Sequence, residues 1–294
     1  MSTATARSTA CAVAVHLSAH RATGRTVRRW CDANPAPLTA AGVTARTSDA
    51  ALRKAVPGLE WRYDRGRDLL RDHLVSAPRT LFSSAAVLGP AYRHTGGPLH
   101  ADARAGVAAL SVALRDVPWR AHVSIGDHAG TVVLAWVEAV RNGHLVRFDD
   151  FAASVTDPSW VPVVRRLVRA LGADRVVVHD ATRARPGGDP AATTAVAHDV
   201  LTALLGGLGA PVPVADLEAP PDPAHWSRRQ TEVALAILPH LRSQADRVAM
   251  RRFVEEEIDA GGTPAWPVPA ALADDLAARD AADLARLTDL VEVR

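Results

Sequence analysis

Lysine is almost missing from this chain: Lys54 is the only one among 34 basic residues. The arginine-for-lysine usage, with its excess of alanine, reads as a high-GC compositional bias, so a lone arginine carries little functional weight. Cysteine is nearly absent too. Cys11 and Cys31 are too few for a disulfide framework, and no His/Cys/Asp/Glu cluster has metal-ligand spacing, so a reducing, cytoplasmic setting is expected. No run approaches the roughly 20 apolar residues of a membrane span. The apolar start is cut short by His16 and His20, too early for a signal peptide. With a net charge of only +2, no global field favours nucleic acid. Gly-x-Ser-x-Gly, the elbow of an α/β-hydrolase nucleophile, does not occur, and no fixed-period repeat is visible.

What is present is 294 residues, 48% of them hydrophobic, ample for a large core. Four short segments have strand composition: Cys11 to Val15, Arg79 to Ser83, Arg120 to Ile125 and Arg175 to His179. Helical patterns separate them, among them Gly66 to Leu74, Asp102 to Leu114, Thr131 to Arg141, Phe148 to Val155 and Trp160 to Leu171. Gly89 to Gly97 reads as a surface loop, and residues 44–60 have weak periodicity. Thr193 to Leu208 is an apolar helix, and the five prolines between Pro211 and Pro223 make an extended connector. Helices follow at Ser227 to Leu241, Asp246 to Asp259, Pro269 to Ala278 and Ala281 to Val291, with Ser227 and Ser243 as N-caps. The pattern predicts an α/β fold in one domain over 1–294: a parallel β-sheet flanked by helices over 10–180 and a mainly helical region over 191–294. Ligands of such sheets sit at the carboxyl ends of strands, here after Val15, Phe82 and Ile125.

The stretch from Val13 to Val43 organises the rest. It reads as a strand, a turn from Ser18 to Gly24, and a helix from near Arg25 that carries Arg28, Arg29 and Trp30. A strand, a small-residue turn and a helix aim free backbone N–H groups at an anion. The segment His16 to Trp30 resembles the opening of a bacterial sulfotransferase family, which runs His-x-Gly-x-x-Lys-Thr-Gly-Thr-Thr-x-Leu-Gln, and Asn34 and Leu38 to Val43 follow without a gap. Thr80 to Ala85 sits at a strand ending Ser-Ser-Glu in that family. His122 to His144 matches its 3′-phosphate segment, and Phe148-Asp149-Asp150-Phe151 its Phe-Asp-Glu-Phe. Trp160 through Val178 and the helical tail also fit, so the likeness covers nearly the whole chain. It implies a P-loop-like sulfotransferase fold, 3′-phosphoadenosine 5′-phosphosulfate (PAPS) as the ancestral donor, and sulfuryl transfer to a hydroxyl or amine.

The donor makes physical demands that this sequence meets poorly. The family's lysine falls on Arg21, and its Thr-Gly-Thr-Thr on Ala22, Thr23, Gly24 and Arg25. A shift by one gives Thr23-Gly24-Arg25-Thr26 but puts Ala22 at the lysine. The 3′-phosphate arginine and serine fall on Gly126 and Leu134, and the glutamate after Ser84 on Ala85. Candidate cofactor-binding residues are therefore Arg21, Thr23, Gly24, Arg25 and Thr26, and candidate catalytic ones His20, Ser84, Asp127 and His128. Each has a plainer reading. His16 at a strand end is a packed, hydrogen-bonded histidine. Asp127 and His128 are adjacent and point apart. Arg28 and Arg29 are solvated, Glu255-Glu256-Glu257 is a helix face, and the seven tryptophans pack in the core. His94 and His100 shape either a substrate mouth or an ordinary surface loop. The expected function is a degenerate family member, non-catalytic or repurposed for a small-molecule or anionic ligand or a protein partner, with no cofactor required. The alternatives are an active PAPS-dependent sulfotransferase that uses Arg21 and Thr26, or another chemistry in the same crevice.

Overall fold

The computed structural model describes residues 12–57, 63–184, 190–218, 226–259 and 266–294. Among these the strands are β1 (Val13–Ser18), β2 (Val43–Arg46), β3 (Arg79–Ser84), β4 (Trp119–Gly126), β5 (Val176–Ala181) and β6 (Glu292–Val293). The helices of the first half are α1 (Arg21–Ala33), α2 (Pro35–Ala40), α3 (Asp49–Ala55), α4 (Asp64–Val75), α5 (Ala103–Ala113), α6 (His128–Arg141), α7 (Phe148–Ser154) and α8 (Val161–Leu171). Those of the second half are α9 (Pro190–Gly207), α10 (Arg228–Ile237), α11 (Gln244–Glu257) and α12 (Ala270–Thr288). All strands run parallel in the order β2-β3-β1-β4-β5-β6. The sheet is therefore covered on both faces, as parallel strands require.

One face packs Val15, Leu17, Phe82, Val123 and Val178 against helices from both halves of the chain. Leu110 and Trp136 share this core with Met250, Leu276 and Leu287 of the C-terminal helices. The other face places Ala14 and Leu81 beneath α1 and α9, through Val27, Trp30, Val200 and Leu204. Trp30, Trp119, Trp136, Trp160 and Trp226 are buried, as expected of core tryptophans, Trp266 is half-buried against the same core, and Trp61 lies outside the described residues. Ser227 and Ser243 each form a full capping box. Residues 211–218 of the proline-rich connector have no regular secondary structure, and 219–223 lie outside the described residues, as do Cys11 and most of the loop before Pro190.

Four expectations are corrected. The first helix starts at Arg21, four residues earlier than its composition suggests, because the His20 side chain caps it. Only Ala19 and His20 then separate β1 from α1, and Gly24 lies inside the helix. Residues 44–60, without clear periodicity, contain β2 and α3; β2 is a four-residue edge strand whose side chains are mostly half-buried, which blurs the alternation. The two helices read over residues 269–291 are one, α12, followed by β6. Asp280, in the gap between the two expected helices, and Asp283 are both buried in α12.

Candidate functional site

A cleft of about 500 Å³ opens at the carboxyl ends of β1 and β3, where the topology places a ligand. Four arginines line it: Arg21, Arg25 and Arg28 from α1, and Arg53 from α3. Positions 21, 25 and 28 fall on one helical stripe, which is why a single face of α1 supplies three of them. Asp49 and Glu138 are the carboxylates of the cleft. Glu138 pairs with Arg21 at 3.3 Å, and Asp49 accepts a hydrogen bond from the Ser84 hydroxyl at 2.5 Å. A second, narrower pocket of about 50 Å³ adjoins the cleft across Arg21 and Glu138 and is lined by His20, Tyr92, Asp127 and Leu134.

The sequence candidates fall into three groups. Arg21, Gly24, Arg25 and Ser84 line the cleft, while His20 and Asp127 line the narrow pocket. Thr23 and Thr26 are buried in α1; Thr26 donates to the Ala22 carbonyl at 3.0 Å. His128 is brought to neither pocket. Its side chain is fully buried, stacked on Trp160 and 3.2 Å from Asp283 of α12. Asp127 points the other way and accepts from the Gly130 N–H as the cap of α6. The adjacent pair thus splits between two helix environments, as neighbouring residues usually do.

The donor's demands can be tested against this geometry. A phosphosulfate needs free amides at the start of α1. Here the His20 N–H donates to the Ser124 carbonyl at 2.8 Å. Nδ1 of His20 accepts from the Thr23 hydroxyl at 2.7 Å and from the Thr23 N–H at 3.4 Å. The imidazole therefore occupies the cap position. Burial pushes its pKa down to about 4, against the raising effect of the Ala184 carbonyl, so the ring is neutral near pH 7 and offers an anion no charge. Gly24 lies against the Ser18 side chain: a Cβ built on it would lie 1.9 Å from the Ser18 hydroxyl oxygen. Packing against Ser18, not the approach of a phosphate, accounts for glycine there. At the position where the resemblance puts the 3′-phosphate, Leu134 lines the narrow pocket with an apolar side chain. A Cβ on Gly126 would meet His20 Cδ2 at 2.9 Å. The residues present do not fit the donor at either end.

Several functional candidates carried no usable signal in the sequence. Asp49, Arg53 and Glu138 reach the cleft from helices whose exposed faces look ordinary. His100 of the glycine-rich loop is buried against the cleft, whereas His94 is exposed and stacks on His144 at 4.1 Å. A polar line also crosses the sheet face under α9. His16 is hydrogen-bonded to Ser83 at 2.9 Å and Ser124 at 3.0 Å, which bears out its reading as a packed histidine. Beside it, His122 is hydrogen-bonded to His179 at 3.0 Å, and His179 to Asp199 at 2.6 Å. Burial first, then the neighbouring His179, lowers His122 to about 3. The alternation Ala121-His122-Val123-Ser124 was the one available signal, and it equally describes a strand with a solvated face.

No family model matches the chain, and neither a curated protein nor a solved structure matches it. Among the described residues no group of three or more His, Cys, Asp or Glu side chains is arranged to hold a metal ion, and no helix is long and apolar enough to cross a membrane.

Proposed function

We propose that the chain is a sulfotransferase-like α/β protein whose donor site has become internal packing, and that its arginine-lined cleft holds another, anionic small molecule. The frame this reading needs is an all-parallel sheet with β1 in its interior and a helix starting at the carboxyl end of β1, and both features are present. The observation that carries the reading is the position of His20. Its ring caps α1 at Thr23 and lies over Gly126, so one side chain takes up both the anion seat and the space above the 3′-phosphate position. Removing two or more charge-assisted contacts, each worth roughly 1.5–3 kcal/mol, lowers donor affinity by orders of magnitude. The cleft keeps four arginines against two carboxylates, a net charge of +2 that suits an anion.

Calorimetry with 3′,5′-adenosine bisphosphate tests the reading. No saturable binding is expected at millimolar nucleotide. Micromolar binding that disappears in Arg21→Ala would instead establish a working donor site and overturn the proposal.

A further inference from the structure

Three features of the cleft bear on which anion it takes. The first is the layout of its cations. Arg21 and Arg28 are seven residues apart on α1, about 10 Å of helix rise, so the arginines form a row and not a single cluster. Arg53 adds a cation from α3. The second is the use of the backbone amides nearby. Besides those of His20 and Thr23, the Ala86 N–H donates to Ser84 Oγ at 3.1 Å and the Gly89 N–H to the Ala86 carbonyl at 3.1 Å. Four of the amides around the cleft are therefore already engaged, and fewer remain for the nest that suits a phosphoryl group. Arg21 is paired with Glu138 at 3.3 Å and Arg28 with Asp32 at 3.5 Å, and planar guanidinium forks match a carboxylate in a bidentate way.

The third is His100, which is 3% exposed and lines the same cleft. Neither of its ring nitrogens meets a hydrogen-bond partner in the protein. The carbonyls of Leu88, Gly89 and Pro90 face the ring without reaching hydrogen-bond geometry. Its backbone is held at φ 45°, a left-handed conformation uncommon outside glycine, while Arg166 donates to its carbonyl at 3.0 Å. A buried imidazole with no partner on either nitrogen, held in a strained backbone at a cleft wall, is arranged for a group that enters the cleft.

We propose that the cleft binds a small dicarboxylate, with one carboxylate among Arg25, Arg28 and Arg53 and the other beside Arg21 and the ring N–H of His100. The inference rests on the reading of the cleft as a repurposed anion site. The net charge of +2 matches two carboxylates, and the row of arginines separates them.

The test is calorimetry on the full chain with succinate, glutarate and phthalate, each compared with its monocarboxylate (butyrate, valerate, benzoate) and with phenyl phosphate. At least one dicarboxylate is expected to bind saturably, at least 10-fold more tightly than its monocarboxylate and than phenyl phosphate. Arg53→Gln, on an exposed helix face, is expected to weaken it by 10-fold or more, one lost charge-assisted contact. His100→Asn is expected to weaken it as well; asparagine tolerates the left-handed backbone, so that variant keeps the loop. Three outcomes would overturn the dicarboxylate assignment: no saturable binding up to about 20 mM, which is weaker than any specific contact would leave it; tighter binding of phenyl phosphate; or binding indifferent to Arg53→Gln. In each of these the adenosine bisphosphate measurement still stands alone. Only micromolar nucleotide binding dependent on Arg21 defeats the underlying reading.

Discussion

Gly24→Ala isolates the packing of Ser18 against α1, which on the proposed reading has replaced an anion seat. In an unobstructed helix interior, alanine in place of glycine stabilises by about 1 kcal/mol. At position 24 the new Cβ would lie 1.9 Å from Ser18 Oγ and 2.6 Å from Ser18 Cβ. Rotating the serine about χ1 relieves the first contact only. The second is fixed by the backbone of β1, where Ser18 is the last residue and 4% exposed. Rotation also breaks the bond from the Ser18 hydroxyl to the His20 carbonyl. Overpacking of this kind costs about 2–3 kcal/mol, so Gly24→Ala is expected to destabilise by about 1–2 kcal/mol net. Ser18→Ala keeps the Cβ and should not rescue it. Ser18→Gly removes both atoms, and in that background Gly24→Ala should stabilise by about 1 kcal/mol, a coupling of about 2–3 kcal/mol in a double-mutant cycle. Urea unfolding of the four proteins measures this directly. Equal effects of Gly24→Ala with and without Ser18 would refute the packing account of Gly24.

Other perturbations are as specific. Asp283 accepts from the Trp160 N–H at 2.6 Å, from Ser159 Oγ at 2.9 Å, and faces His128 Nε2 at 3.2 Å. Asp283→Ala leaves buried donors unmet and is expected to cost about 3–4 kcal/mol, with Asp283→Asn costing less than half of that; denaturant midpoints check both. Burial works to raise the Asp283 carboxyl, and the hydrogen bonds from His128, Trp160 and Ser159 overcome it, holding it below the usual carboxylate range. Its contribution is present above about pH 4 and lost as pH falls through the folded value, a loss that Asp283→Asn should lack. His20 and His100 are lowered to about 4 and His122 to about 3, in each case mainly by burial. Between pH 6.5 and about 4.5 the unfolded chain protonates these rings and the folded one does not, so stability falls by about 2–3 kcal/mol per ring; urea midpoints in His122→Leu should lose the share of one ring, and an unchanged pH slope would refute it. Burial also pushes the Cys31 thiol up to about 12, so alkylation followed by peptide mass analysis should label Cys31 only under unfolding conditions.

The strands were legible in the sequence because a parallel sheet buried on both faces must be built from β-branched runs, as Val13 to Val15 and Val176 to Val178 are. The capping serines were legible because a cap is a local contact. The start of α1 was not, since histidine has no cap preference: His20 caps only because Gly126 leaves space for its ring, a contact over 106 positions. Gly24 carried the same ambiguity. A glycine in a small-residue segment reads as a turn, but the His20 cap starts α1 at Arg21 and so places Gly24 within the helix, against Ser18. The expected break at residues 279–280 falls where periodicity counts Asp280 as exposed, yet Asp280 and Asp283 are buried. Their carboxylates instead accept hydrogen bonds at the starts of α6 and α8, where the His128 and Trp160 amides donate to them. The site divides in the same way. Its strand-end location follows from the fold class, while its proposed chemistry depends on Asp49, Arg53, His100 and Glu138, which line the cleft and which no motif joins.

On the proposed reading, the changes at the former donor site are coupled and not independent losses. The His20 ring needs the empty space above residue 126; an arginine there would place its Cβ 2.9 Å from His20 Cδ2. The Ser18 side chain needs glycine at 24. Restoring one donor ligand at a time should therefore fail on steric grounds before its chemistry is tried. Gly126→Arg alone is expected to destabilise the fold by about 1–3 kcal/mol and to gain no affinity for adenosine bisphosphate. Combined with His20→Gly, which clears the ring, the same arginine should be tolerated, leaving at most the smaller cost of the lost cap of about 1 kcal/mol. If Gly126→Arg is neutral in the parent protein, the ring is not held over Gly126, and the helix start is open to an anion after all.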